Sequence, residues 1–437
     1  MGHEDLEITI YRGSKEVGGN CIEVRSGDTR IILDIGMPLF DEDRQALDTF
    51  SLRRKSTEDL GSEGILPNVS GLFDDSRSPD AILLSHAHLD HTGLLNRSKD
   101  FIPVYSSRGT SKMMLAGSLF AGQVELPRER FRKMELETPI TIGDFAVTGY
   151  AVDHSIYGCM AFLIEAEGKR LLYTGDLRSH GRKPGMGKRL VDALRHKPLD
   201  VLLMEGTHFG FPDGNLATEY ELENEITELV RKFESLVLAS FSPQHVDRLV
   251  AFIRVAKKTG RTFVADVYTA FIMHLLKNEI PLPQPEPGGF VRVYVPQALQ
   301  ESAHRKGRSA QIERFRDAEI KLAEIKEAPE KFLMIFRASM LDDFDGEFPA
   351  ETSCLYSRWD GYLQQSRWNL VRKSLDEVNG TLHGIHTSGH ILSTDIVRFA
   401  RAINPVKIIP VHTFEPEQFE ERFENVVLLE NGVHFVL

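Results

Sequence analysis

Ser85-His86-Ala87-His88-Leu89-Asp90-His91 leaves the apolar run 81–84, and its reading decides the fold. Three imidazoles and a carboxylate lie between positions 86 and 91. A segment leaving a strand can direct alternate side chains into one pocket and the remainder into a neighbouring one. His86 and His88 can then share one ion, and Asp90 and His91 can reach a second. Imidazole and carboxylate donors suit Zn²⁺ best, with Mn²⁺ or Fe²⁺ as alternatives. A solvated histidine-rich turn is the competing reading. It is the weaker one, because such a dense set of donors is the composition of a metal site.

Working outward, two further donors follow apolar strands. His154, in Val152-Asp153-His154-Ser155, ends the run 145–152, and Asp176, in Thr174-Gly175-Asp176, ends the run 170–173. Alone, each reads as an ordinary turn or surface residue. Beside the upstream cluster, both become candidate ligands. Other short apolar runs, at 7–11, 21–24, 30–34, 160–165 and 201–204, are broken by turns such as Gly18-Gly19-Asn20. Only 111–120 stands out as a helix there, and mostly β structure with a few helices implies stacked layers.

Beyond residue 206 the texture changes. A helix at 216–233, with Leu222, Ile226, Leu229 and Val230 on one face, precedes a strand at 236–239, a helix at 246–258, a strand at 262–265 and a helix at 270–277. That alternation reads as a parallel α/β unit. Residues 282–289 are a Pro/Gly loop, and 309–331 read as a charged surface helix. A helix at 394–402, capped by Ser393, and an apolar run at 407–411 return to the first style. The predicted division is therefore 1–205, an inserted 206–378, and a return at 379–437.

Composition sets outer bounds. With 437 residues, 41% hydrophobic and 27% charged, the chain has the make-up of a soluble protein of two domains. No run approaches 18 apolar residues, and the N-terminus lacks a basic region followed by an apolar stretch, so a cytoplasmic location is expected, with no membrane partner. Cys21, Cys159 and Cys354 are isolated and read as buried thiols in a reducing compartment. A net charge of −12 disfavours a general nucleic-acid coat protein but not a nuclease, whose metals restore local attraction for phosphate.

The pattern at 86–91, with His154 and Asp176, resembles the metallo-β-lactamase superfamily, in which Asp34 of Leu33-Asp34-Ile35-Gly36 would support the ligands from behind. Met204-Glu205-Gly206-Thr207, Ser388-Gly389-His390 and Ile409-Pro410-Val411-His412 resemble, in that order, the three further motifs of the β-CASP nucleases, most of all the ribonuclease J group. This likeness runs from Gly13 to beyond His412. It implies an α/β architecture: a four-layer αββα metallo-β-lactamase fold with an inserted parallel α/β β-CASP domain. It implies two Zn²⁺, one held by His86, His88 and His154, the other by Asp90, His91 and His412, with Asp176 bridging. Asp90 would also orient the attacking water, and His390, held by Glu205, would protonate the leaving oxygen.

The implied substrate is RNA, single-stranded, because His412 has the form found in RNA-processing members, where DNA-processing members tend to carry an apolar residue. Ser240, Ser242, Ser388 and Gly389 are candidate phosphate contacts, although Ser240-Phe241-Ser242-Pro243 departs from the usual ribonuclease J pattern. Basic clusters at 53–55, 128–133 and 305–308 flank an RNA path or are solvated faces. The sequence ends soon after the return, so the extra C-terminal assembly domain of many ribonucleases J is not expected; a homo-oligomer stays open. A DNA nuclease, a small-molecule ester, thioester or lactone hydrolase and a non-catalytic RNA scaffold are the rivals.

Overall fold

Leu6, Ile8 and Ile10 alternate with Glu7, Thr9 and Tyr11 along β1 (Leu6–Arg12), which gives the strand one face for the core. β2 (Cys21–Ser26) and β3 (Thr29–Leu33) pair with it as antiparallel neighbours. β4 (Ala81–Leu83), β5 (Val104–Ser106) and β6 (Phe131–Lys133) add on in parallel. A second sheet begins with β7 (Ile140–Ile142), β8 (Phe145–Ala151), β9 (Met160–Ala166), β10 (Lys169–Tyr173) and β11 (Val201–Glu205). Then come β12 (Val237–Ser240), β13 (Thr262–Asp266), β14 (Val291–Tyr294), β15 (Phe332–Ile335), β16 (Ser353–Tyr356) and β17 (Thr381–Gly384) of the inserted segment. β18 (Lys407–Val411) and β19 (His434–Val436) close the chain.

This computed structural model describes residues 6–210 and 217–437. The N-terminal residues 1–5 and the first residue of the helix read at 216–233 lie outside the described residues. The chain divides into two units: the described parts of Met1–Ser118 and Gly122–Asn215 with Gly389–Leu437, and Leu119–Ala121 with the described part of Leu216–Ser388.

In the first unit the sheets run β19-β1-β2-β3-β4-β5-β6 and β18-β11-β10-β9-β8-β7. Ile8, Ile10, Ile22, Val24, Ile31 and Leu33 from one sheet meet Phe145, Phe162, Ile164, Leu171, Leu203 and Ile409 from the other in a single buried cluster. Each such side chain contributes about 1.5–3 kcal/mol on burial. The opposite faces, with Ile32, Ile82, Leu172 and Leu202, are buried as well. On the second sheet's outer side, the helix Gly185–Leu194 packs against β8 and against the helix Ser393–Ile403. Sheets inside and helices outside make the four-layer αββα arrangement that the motif pattern implies.

The second unit is one parallel sheet, β14-β13-β15-β12-β16-β17. Its strands are apolar without alternation, as in Phe332-Leu333-Met334-Ile335, because helices cover both faces of a parallel sheet. The helix read from 216 runs over Glu219–Val230, started by a capping box between Thr218 and Glu221. Under it, Arg248 and Glu219 are both fully buried and share two hydrogen bonds, Nε to Oε2 at 3.3 Å and Nη2 to Oε1 at 3.1 Å. Removing one partner leaves the other charge buried. Arg248→Met is therefore expected to destabilise this unit by about 3–5 kcal/mol, read as a lowered urea midpoint.

Two local expectations are corrected. The charged stretch 309–331 is not one surface helix. It breaks into Ala310–Glu313, Arg316–Ala318, Leu322–Glu327 and Pro329–Lys331, and Ile312, Phe315, Ala318, Ile320 and Ile325 are buried. Those apolar residues lack a single helical face, so the chain must turn repeatedly to bury them. Ser393 is the first residue of its helix, and the cap position falls on Leu392.

Candidate metal centre

Each candidate residue of the centre stands at or just past a strand end of the first unit. Asp34 follows β3, the 85–91 segment follows β4, His154 and Asp176 follow β8 and β10, Glu205 ends β11, and His412 follows β18. His86 and Ala87 lie between strand and helix, and His88 takes extended backbone. Asp90 and His91 ride on the short helix Leu89–Thr92, with His88 at its cap position. That turn sits tightly on the end of β3. A Cβ at Gly36 would lie 1.7 Å from the Asp90 carbonyl oxygen, so only glycine allows the approach. Asp34 and His412 both take left-handed backbone, φ 57° and 52°, a region that Asp and His tolerate better than most residues.

The side chains converge. His86 Nε2 and His154 Nε2 each lie 3.1 Å from His88 Nδ1 and 3.7 Å from Asp176 Oδ2. His91 Nε2 lies 3.2 Å and His412 Nε2 3.8 Å from the same Asp176 oxygen, and Asp90 Oδ2 is 3.2 Å from His412 Nε2. Two sets, His86/His88/His154/Asp176 and Asp90/His91/Asp176/His412, therefore share Asp176. Donors placed tetrahedrally at about 2.0–2.2 Å from an ion stand roughly 3.3–3.5 Å apart, so this spacing suits first-row divalent cations. Both Asp176 oxygens and His91 Nε2 are buried without a hydrogen-bond partner among the described residues. Buried polar atoms are rarely left so unless an ion or water completes them.

Ionisation points the same way. Burial, then the positive charge of neighbouring imidazoles, pushes His86 and His154 well below the usual histidine range, and burial lowers His88 to about 4. Burial works against charge on Asp90 and Asp176, but the surrounding imidazoles override it; Asp90 falls to about 2 and Asp176 lies well below the carboxylate range. His91 runs the other way: burial opposes its charge, but the Asp176, Asp34 and Asp90 carboxylates outweigh it and raise the ring well above the usual range. Neutral His86, His88 and His154 beside ionised Asp90 and Asp176 are the states that coordinate metal.

Behind the donors, the rings of His91, His154 and His412 are anchored by their other nitrogen. Asp34 Oδ2 accepts from His91 Nδ1, Ser85 Oγ and Tyr173 OH, all at 2.7 Å, while its Oδ1 accepts from Ser85 N. His154 Nδ1 meets the Gly389 carbonyl at 2.5 Å, and His412 Nδ1 meets Thr207 Oγ1 at 2.8 Å. Such anchoring fixes tautomer and aim. Asp34→Ala is expected to weaken divalent-metal affinity by about 10–100-fold, read by competition with a chelator. Ser85, Tyr173 and Thr207 had no role assigned from sequence; their adjacency to ligands was the available signal.

A third group adjoins the two sets. His390 Nδ1 lies 3.1 Å from Glu205 Oε2 and 3.6 Å from Asp176 Oδ2. Glu205 is fully buried and held by the Leu177 N–H at 2.8 Å and the Thr207 hydroxyl at 2.8 Å. Burial disfavours charge on His390, but the Glu205 and Asp176 carboxylates outweigh it and raise the ring to about 9. Its side chain keeps 23% exposure, so it reaches solvent as the fully buried Glu205 does not.

Of the phosphate candidates, Ser240, Ser242 and Ser388 belong to the second unit and Gly389 to the first. Ser240 ends β12 with its hydroxyl buried and unpartnered among the described residues. Among the basic clusters, Arg130 is buried and donates to the carbonyls of Ile102 and Leu95, so it is structural. All three cysteines are buried and free. Among the described residues, no helix is long and apolar enough to cross a membrane.

Fold and site are similar to those of metallo-β-lactamase-type proteins, and two His/Asp sets are placed to hold divalent metal. The model of the Beta-lactamase superfamily domain matches residues 62–213. More particularly, the chain is ribonuclease J-like. It is 23% identical to Ribonuclease J of Mycolicibacterium smegmatis over 98% of this chain and 74% of that one. It is 24% identical to the RNase J-like protein of Methanocaldococcus jannaschii, over 60% of this chain and 58% of that one. It is 27% identical to Ribonuclease J of Sinorhizobium meliloti, over 46% of this chain and 36% of that one. In fold it is similar, with a TM-score of 0.76 and 23% identity, to a crystal structure of a protein of unknown function from Enterococcus faecalis V583, covering 99% of this chain and 100% of that one.

Proposed function

We propose that this chain is a divalent-metal-dependent ribonuclease that hydrolyses phosphodiester bonds of single-stranded RNA. The observation that carries the reading is the pair of His/Asp sets sharing Asp176, with His390 and Glu205 beside them. A small-molecule hydrolase needs the first part but has no use for the second. The names of the relatives favour RNA over DNA.

His86, His88 and His154 would hold one cation and Asp90, His91 and His412 a second, with Asp176 in reach of both; Zn²⁺ is the metal that the donor set favours. Such a pair, when bound, supplies Lewis acidity that brings a water's pKa to about 7 and offsets charge on the phosphoryl oxygens. Asp90 orients the attacking water through the carboxylate that faces His412. Protonated His390 donates to the departing sugar oxygen, and Glu205 holds the ring and its charge. The Ser240, Ser242 and Ser388 hydroxyls and the Gly389 backbone are the assigned phosphate contacts.

The test is metal content by elemental analysis, then turnover of labelled single-stranded RNA, the matching DNA and a chromogenic ester. About two zinc per chain with RNA cleaved fastest is the expected result. Faster ester hydrolysis with intact RNA would sink the proposal.

A further inference from the structure

The parallel sheet of the second unit delivers two arginines at the carboxyl ends of strands β15 and β16, where open α/β sheets characteristically bind ligands. Arg337 lies two residues past Ile335, and Arg358 two past Tyr356. Arg337 spends Nε on Asp266 at 2.6 Å and lays its guanidinium 4.9 Å from the Tyr268 ring centroid. Its Nη2 is nonetheless buried without a hydrogen-bond partner among the described residues. Arg358 has neither a carboxylate within ion-pair reach nor a hydrogen bond among the described residues; it rests 5.6 Å from the Tyr362 ring centroid. Burial, and then the charge of Arg337, lower the pKa of Arg358, so the two guanidiniums feel each other. Asp266 offsets the charge of Arg337, so the Arg358 guanidinium is the one that still calls for an anion.

Beside this pair the chain exposes its two largest rings in the region. Trp359 and Tyr362 are 51% and 44% exposed and meet edge to face, centroids 5.4 Å apart at 89°. The buried ring Tyr268, stacked on Phe120, supports Arg337 from the opposite side. Unsatisfied guanidinium N–H groups call for anionic oxygen in a forked geometry, and half-exposed π faces beside them call for a flat, unpaired base. An acidic peptide would satisfy the arginines but leave the indole face unused. A duplex buries its bases and could not stack.

We propose that Arg337, Arg358, Trp359 and Tyr362 form a platform for single-stranded RNA, in which the guanidiniums hold a phosphodiester and the exposed rings stack a neighbouring base. This rests on the ribonuclease reading above and extends it to a binding surface carried by the second unit alone.

The chain has two tryptophans, and Trp368 is buried at 2% exposure, so Trp359 reports on its own surface. The experiment uses full-length His390→Ala protein, so that RNA is bound without turnover, and titrates a single-stranded 12-mer against intrinsic fluorescence and anisotropy. Quenching on RNA addition is expected. Trp359→Phe should abolish the quench while keeping affinity within about twofold, since a ring remains. Trp359→Ala, Tyr362→Ala and Arg358→Met should each weaken binding at least about fivefold, with circular dichroism reporting that each variant is folded. If wild-type protein cleaves RNA while these variants bind as tightly as their parent, the platform is overturned and the ribonuclease reading stands. Wild-type protein that neither binds nor cleaves RNA overturns both. Quenching by an acidic peptide and not by RNA overturns the nucleic-acid assignment.

Discussion

Alanine at Asp176 is expected to strip the protein of divalent metal and to lower RNA hydrolysis by at least about 10³-fold, the rate equivalent of roughly 4 kcal/mol. Asp176 is 1% exposed, and no hydrogen bond among the described residues occupies either of its oxygens. Its Oδ2 stands 3.2–3.8 Å from nitrogens of His86, His91, His154, His390 and His412. Among the described residues, no other carboxylate joins both sets. Without it, the five imidazoles of the two sets face one another with Asp90 as the carboxylate left beside them, and a bound cation loses the charge that makes its site favourable. Elemental analysis after dialysis checks the loss, and a variant that retained two metals would remove Asp176 from the bridging role. Asp90 cannot substitute, because it faces His412 and His91 alone.

The second large effect separates chemistry from metal binding. His390→Ala is expected to keep the metals and lose about 10²–10⁴-fold in turnover, the usual share of a positioned proton donor. The donor works in its protonated form, so turnover is present below the His390 pKa and falls as pH rises through it. Glu205 and Asp176 set that value high, at about 9, and cations beside Asp176 oppose them. Removing the Glu205 charge acts in one direction only. Glu205→Gln should move the alkaline limb of kcat to lower pH while leaving metal content unchanged, and a limb that stayed in place would show that Glu205 does not hold the proton on His390. Thr207, which bonds Glu205 and also meets His390 and His412, keeps the ring aligned in that variant.

Much of this was legible in the residues. The strands β1 to β3 and β8 to β11 announced themselves by apolar runs between glycine turns, and the helix Val246–Lys258 was read to the residue. The three-residue strands β5, β6 and β7 were not, because so short a run with partial burial carries no period to detect. Strands β14 to β17 were missed too: they are four-residue runs whose place depends on parallel partners far along the chain. The stretch 309–331 misled because its charge was visible and its inward Ile312, Phe315, Ala318, Ile320 and Ile325 do not fall on one helical face.

The sequence by itself determined which groups carry chemistry: a dense His/Asp segment, two donors after later strands, and acid and His motifs in a telling order. Ligand type and strand-end position are local properties, so they can be read locally. Family likeness implied that Asp176 is shared, and the structure brings it to both sets; only the tertiary structure decided that Asp34 grips His91, Ser85 and Tyr173 together and that Thr207 joins Glu205 to His412. It also brought Arg337 and Arg358 within each other's field from strands β15 and β16, which sit on either side of β12. Those relations depend on the register and order of distant strands, which come from packing two apolar sheet faces together and not from any single segment.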